Sequence, residues 1–222
     1  MPRVIIIFLL TFAFTCAAQD RTKEYVQKNT SPVRIDAGDT AWMKDLEAVG
    51  SAIGDARIVL LGEQSHGDAA AFLVKSKLVK YLHEKKGFNV LAFESDFFAL
   101  NAGWDATPKD RQSIDSFLMY NPFPIWTQCH TCYDLLYNYI PSTFQTAAPL
   151  QVSGFDDQLH GAFSKKKLKP MLDSFLQKAV QRFPEAKDPA AALLTWTDPL
   201  MMRAETDAQR WAVSDSFSKA GE

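Results

Sequence analysis

The sequence predicts an α/β fold: a mostly parallel sheet flanked by helices, with an active-site crevice at the carboxyl ends of the strands. Three observations carry this expectation. Short apolar runs at Arg57–Leu61, Asn89–Phe93 and Pro149–Gly154 suit buried strands. Helical periodicity fills intervals between them, and each run leads directly into carboxylates or imidazoles. Strands alternating with helices call for parallel pairing through right-handed crossovers.

In chain order, the first segment stands apart. Arg3 supplies a positive start, Val4 to Phe14 is almost wholly apolar, and Cys16-Ala17-Ala18 are small, the order found in a secretory signal peptide. The apolar run is shorter than the roughly 20 residues a membrane-spanning helix needs. Residues 1–18 are therefore expected to be a signal peptide, leaving a mature chain from Gln19 and an exported protein, periplasmic or secreted. A buried N-terminal helix fits poorly with the abrupt polar switch at Asp20. Lipid attachment at Cys16 is the other alternative, weakened by the poor lipobox Ala13-Phe14-Thr15.

Residues 19–222 make up one domain's worth of chain. Hydrophobic residues are 47% and charged residues 23% of the sequence, the balance of a folded globular protein. A formal net charge of -2 leaves no basic stripe beyond Lys165-Lys166-Lys167, which reads as a solvated helix face, so a nucleic-acid partner is not expected. After an irregular lead-in, Thr40 to Ile53 reads as a helix capped by Asp39, with Trp42, Leu46, Val49 and Ile53 on one face. Ala69 to Lys86 reads as a long amphipathic helix, with Ala71, Val74, Leu78 and Leu82 inward and Gly87 at the C-cap. A helix near Tyr133 to Tyr139 precedes the third strand. The tail after Ser164 reads as helical, with breaks at Pro170, Pro184, Pro189 and Pro199.

The chemistry gathers after the strands. Glu63 and His66 follow the first, Glu94 and Asp96 the second, and Asp156, Asp157 and His160 the third. Parallel strands would deliver all of them to one edge. Ser65 with Asp68 resembles a capping box, which would put His66 in the first helical turn, where the helix dipole disfavours imidazolium. Glu94 ends an apolar strand and should be partly desolvated. Asp156 and Asp157 could orient a ligand or simply form a turn. His83 and His130 read as surface or packing residues. Cys129 and Cys132 allow a redox dithiol, half a metal site, a local disulfide or two unpaired thiols; without a second ligand pair, the structural readings are favoured.

The string Gly62-Glu63-Gln64-Ser65-His66-Gly67 resembles the Gly-Glu-x-x-His-Gly signature of the erythromycin esterase-like family. The likeness continues through the following helix and Gly87-Phe88-Asn89-Val90-Leu91-Ala92-Phe93-Glu94, and more faintly to Gly154-Phe155-Asp156. It implies a hydrolase of carboxylic esters or lactones, whose namesake activity is inactivation of macrolide antibiotics. It also implies a small-molecule substrate and no cofactor or metal, with His66 as general base and Glu63 and Glu94 as its catalytic partners. Lys75, Asp156 and Asp157 are the expected substrate-binding residues. Lys75 stands where macrolide-hydrolysing members carry an arginine, and cannot reproduce a bidentate contact. Family domains are longer, so this chain is expected to hold an N-terminal portion of the catalytic domain. Backbone amides at the helix start after His66 are candidates for stabilising the oxyanion. Two rivals remain: a metal-dependent hydrolase using Glu63, His66, Glu94 and Asp156, and a secreted small-molecule-binding module without catalysis.

Overall fold

The computed structural model describes residues 21–30, 32–34, 42–62 and 68–201. The expected signal peptide, Cys16, Asp39, Thr40, Glu63, Ser65 and His66 lie outside the described residues. The chain divides into two compact units, Met1–Gly54 and Asp55–Glu222.

In the first unit, residues 21–29 form helix α1. The predicted single helix up to Ile53 is instead two segments, α2 (Trp42–Asp45) and α3 (Glu47–Ile53), separated by a turn at Leu46. Asp45 takes a forked contact from Arg34, with Nε to Oδ2 at 2.9 Å and Nη2 to Oδ1 at 3.0 Å. Gly54 ends the second segment at φ 55°, a conformation natural to glycine.

The second unit opens with the largest departure from the sequence reading. Arg57–Leu61 has no regular secondary structure. Ile58 and Leu60 are 77% and 89% exposed, while Leu61 packs against the core. An apolar run becomes a strand only when a neighbouring backbone takes up its N–H and C=O groups, and among the described residues no strand pairs with it. The sheet among the described residues is therefore two-stranded and parallel, made of β1 (Val90–Asp96) and β2 (Gln151–Asp156), within a helix-rich unit.

Helix α4 (Ala69–Lys86) has the predicted bounds. Its cap differs from the predicted box: Asp68 itself is the N-cap, its Oδ1 accepting from the amides of Ala70 at 3.0 Å and Ala71 at 3.2 Å. The predicted box partner Ser65 and the residue His66 lie outside the described residues. Gly87 closes the helix in the left-handed conformation, φ 74°. The buried face is Phe72, Ser76, Lys77, Val79, Tyr81 and Leu82, rotated from the predicted stripe towards the aromatic Phe72 and Tyr81.

After β1 come α5 (a π-helical turn Ala99–Gly103 continued by Trp104–Ala106), α6 (Arg111–Tyr120) and α7 (Pro124–Thr127). Helix α8 is a continuous helical run of 3-10 turn His130–Cys132, π-helical Asp134–Tyr139 and α-helical Ile140–Thr143, joined through Tyr133. Beyond β2 lie α9 (Ala162–Arg182) and, after the short turn Pro184–Ala186, α10 (Lys187–Met201), which packs against α9. Pro170 does not break α9 as expected. The carbonyl its ring opposes belongs to Lys166, and both residues are exposed, so water can satisfy the freed group. Pro189 and Pro199 likewise fall within the span of α10. Lys165, Lys166 and Lys167 are exposed, as a solvated face should be. No helix among the described residues is long and apolar enough to cross a membrane.

The core gathers Phe72 and Val79 of α4, Phe93 and Val152 of the strands, and Leu100, Trp104, Ile114, Leu118, Leu136 and Ile140 of the middle helices. Each large apolar side chain buried there contributes about 1.5–3 kcal/mol. The strands register Phe93 against Gly154 but Asp96 against Asp156, so β1 carries one extra residue at its carboxyl end. This bulge breaks the alternation of faces and turns both Ser95 and Asp96 inward. Gly154 is its necessary counterpart: a Cβ there would lie 2.7 Å from the carbonyl oxygens of both Ser95 and Asp96.

Asp96 is wholly buried and fully bonded. Its Oδ1 accepts from the Ala99 amide at 2.9 Å and the Ser164 hydroxyl at 2.8 Å, and its Oδ2 from the Gly161 amide at 2.8 Å. One carboxylate thereby ties the end of β1 to the starts of α5 and α9, where helix dipoles favour negative charge. Asp96→Ala should cost about 3 kcal/mol or more, because three donors lose a charged acceptor; urea unfolding measures it. Gly154→Ala should cost about 1–3 kcal/mol by overpacking against the bulge, read from the same melts, whereas Gly87→Asn at the helix cap should be milder.

Candidate active site

The carboxyl ends of β1 and β2 lie side by side, through the Asp96–Asp156 register. Of the three predicted clusters, the structure brings together the second and third; Glu63 and His66 lie outside the described residues. Glu94 is exposed, not partly desolvated as expected. It points from the open face that β1 shares between Val90, Ala92 and Glu94, whereas its neighbours Phe93, Ser95 and Asp96 are buried. Its side chain is thus open to solvent, while the buried carboxylate of the pair is the structural Asp96.

Trp126 of α7 links Glu94 to α4. Its indole Nε1 donates to the Glu94 backbone carbonyl at 3.3 Å. Its ring packs 5.1 Å from Phe72 and 6.0 Å from Phe93, centroid to centroid. The Lys75 ammonium lies 5.4 Å from the Phe72 centroid and 5.7 Å from that of Trp126, a cation held over two aromatic faces. Lys75 is therefore half-buried beside the Glu94 end of β1, where the sequence reading placed a substrate-binding residue.

On the other side, His160 stacks on Phe123 with centroids 3.6 Å apart and planes 17° from parallel. Its Nε2 is 3.1 Å from Ser95 Oγ, which also accepts from the Phe123 amide at 2.9 Å. Ser95 is wholly buried. The Ser95 hydroxyl thus bridges the Phe123 amide and the His160 ring at the end of β1. The bulge is what turns Ser95 inward to do this. Asp156 folds back on its own loop, Oδ1 accepting from the Gln158 amide at 3.2 Å, and Asp157 is exposed.

Several residues escaped the sequence reading. Ser95, Phe123 and Trp126 carry no motif; only the two prolines flanking Phe123 in Asn121-Pro122-Phe123-Pro124 hint at a fixed loop. Of the backbone amides at the helix start, those of Ala70 and Ala71 are taken by the Asp68 carboxylate. His83 is a packing residue: its Nε2 donates to the Ala148 carbonyl at 2.9 Å and its Nδ1 lies 2.8 Å from the Tyr139 hydroxyl. His130 is exposed. Among the described residues no three His, Cys, Asp or Glu side chains gather as a metal site; two of the four donors in the metal reading lie outside them.

Comparison with known proteins adds lineage to this geometry. No family model matches the chain. The chain is 29% identical over 227 aligned residues to a putative hydrolase, YbfO, of Bacillus subtilis, covering 99% of this chain and 46% of that protein. It is 34% identical over 77 residues to erythromycin esterase type II of Escherichia coli, 35% of this chain and 18% of the other. The names of these relatives point to the erythromycin esterase-like family. The chain thus spans about half the length, or less, of the curated relatives it matches. A crystal structure of a Bacillus cereus protein shares the fold, with a TM-score of 0.52 at 18% identity over 88% of this chain and 53% of that one.

Ser95→Ala should cost about 1–3 kcal/mol, since the Phe123 amide loses its acceptor at a buried position. Thermal or urea unfolding checks the size, and a neutral result would contradict the bonding described for Ser95.

Proposed function

We propose that this chain belongs to the erythromycin esterase-like family and serves the hydrolysis of carboxylic esters or lactones, macrolides among them, after export from the cytoplasm. The observation that carries the reading is the parallel register of β1 and β2, which brings their acidic carboxyl ends side by side. The hydrolase names of relatives aligned over nearly all, or a third, of the chain support it. The Gly62–Gly67 string supports the choice of family.

In this reading His66 takes a proton from water as that water attacks the ester carbonyl, while Glu63 and Glu94 orient the water and the imidazole. Glu94 suits the part because it stands on the open face of β1, with the Trp126 indole bonded to its backbone carbonyl. Lys75, held over Phe72 and Trp126, meets the substrate as a point charge on an aromatic shelf. That favours contact with a single oxygen over the planar, two-pronged grip of an arginine. Asp156 and Asp157 border the same edge and bind substrate hydroxyls. No cofactor enters the scheme.

A panel of macrolides and simple esters, read by the mass gain of one water, tests the proposal. His66→Ala should lower the rate by about 10²–10⁴-fold with folding unchanged. A variant that keeps the wild-type rate would remove His66 from the role of base. Binding of a macrolide without any turnover by the wild-type chain would favour the binding-module reading instead.

A further inference from the structure

The pair Cys129 and Cys132 takes no part in the proposed hydrolysis, yet its setting is specific. Cys129 is the N-cap of the 3-10 turn that opens α8, and helical structure runs on from it through Thr143. The Cys132 amide donates to the Cys129 carbonyl at 3.0 Å. A turn closed in this way holds its end Cα atoms within about 7 Å, and a disulfide spans about 4.4–6.8 Å. Both are free thiols in the structure, Cys129 half-buried and Cys132 buried in the core. Cys129 Sγ lies 3.0 Å from the Thr131 hydroxyl, close for a sulfur partner.

We infer that Cys129 and Cys132 form a thiol–disulfide exchange site, in which Cys129 attacks a low-molecular-weight disulfide and Cys132 resolves the product. The two thiols differ in the way such a division of labour requires. Burial works against the Cys129 thiolate, but hydrogen bonds from Thr131 and Cys132 outweigh it and hold the group below its ordinary value. Burial first, and then the charge and hydrogen bond of Cys129, push the Cys132 thiol up to about 12. The accessible sulfur is therefore the better nucleophile, and the inner one stays protonated until a mixed disulfide lies beside it. The start of a helix adds favourable potential for a thiolate at Cys129.

The reaction balances as two exchanges. Cys129 gives up its proton, its sulfur bonds to one sulfur of the small disulfide, and the other half leaves as a thiolate that takes up a proton. Cys132 then loses its proton to solvent, its sulfur attacks Cys129 Sγ, and the second half leaves as a thiol. Two protein thiols are oxidised by two electrons, and one small disulfide is reduced to two thiols.

The test uses the reduced 222-residue chain with oxidised glutathione, followed by intact-mass measurement and peptide mapping, which also separates any reaction at Cys16. Wild type should lose two hydrogens, with a Cys129–Cys132 linked peptide and no retained adduct. Cys132→Ser should retain one glutathione on Cys129, and Cys129→Ser should react at least about tenfold more slowly than wild type at Cys132. If Cys132→Ser unfolds by circular dichroism, Cys132→Ala and the wild-type linked peptide decide alone. The inference is overturned if Cys129→Ser is modified at Cys132 as fast as wild type reacts. It is equally overturned if the native wild type stays fully reduced while the same sample reacts once denatured.

Discussion

The arrangement rests on one buried carboxylate. Asp96 ends β1 at a bulge and accepts from the Ala99 and Gly161 amides and the Ser164 hydroxyl. A charge excluded from water is tolerable only with such complete bonding. By satisfying it, the fold fixes the starts of α5 and α9 against the end of the sheet. Asn121 repeats the device alongside, its Oδ1 accepting the Phe163 amide at 2.8 Å. The loop carrying His160 is clamped between β2 and α9 as a consequence.

The bulge divides labour between neighbouring side chains. A regular strand would alternate faces through its last residues, but one extra residue lets Ser95 and Asp96 both turn inward while Glu94 stays out. Asp96 then serves structure, Ser95 holds His160, and Glu94 stays exposed to solvent. Gly154 and the π-helical turn of α5 complete the fit. Asn101, on that turn, donates to the Gly154 carbonyl at 3.1 Å and accepts from Ser153 at 2.6 Å, pinning β2 beside the bulge.

How much of this the sequence disclosed depends on the range of the forces involved. The bounds of helix α4 were legible because their signals are local, an apolar periodicity free of Pro and Gly and a glycine stop, although the cap was assigned to the wrong residue. The two strands were legible within two or three residues, and both run on into the acidic groups predicted to follow them. Arg57–Leu61 was misread because pairing, not composition, makes a strand. Pro170 was misread because a solvated carbonyl four residues back softens its penalty. At the site, the titratable residues announced themselves by position after apolar runs. Phe123, Trp126 and Ser95 did not, since their roles arise from contacts between segments 28 to 65 residues apart, invisible to any local pattern.

The central claim is that ligand meets this unit at the carboxyl ends of β1 and β2. Backbone amide shifts of the His66→Ala protein, recorded while a macrolide lactone is added, address it directly. The account predicts that changes concentrate at residues 94–96, 123–126 and 156–161. Changes confined instead to the hollow lined by Lys109, Asp110, Arg111, Ser142 and Gln145 would contradict it.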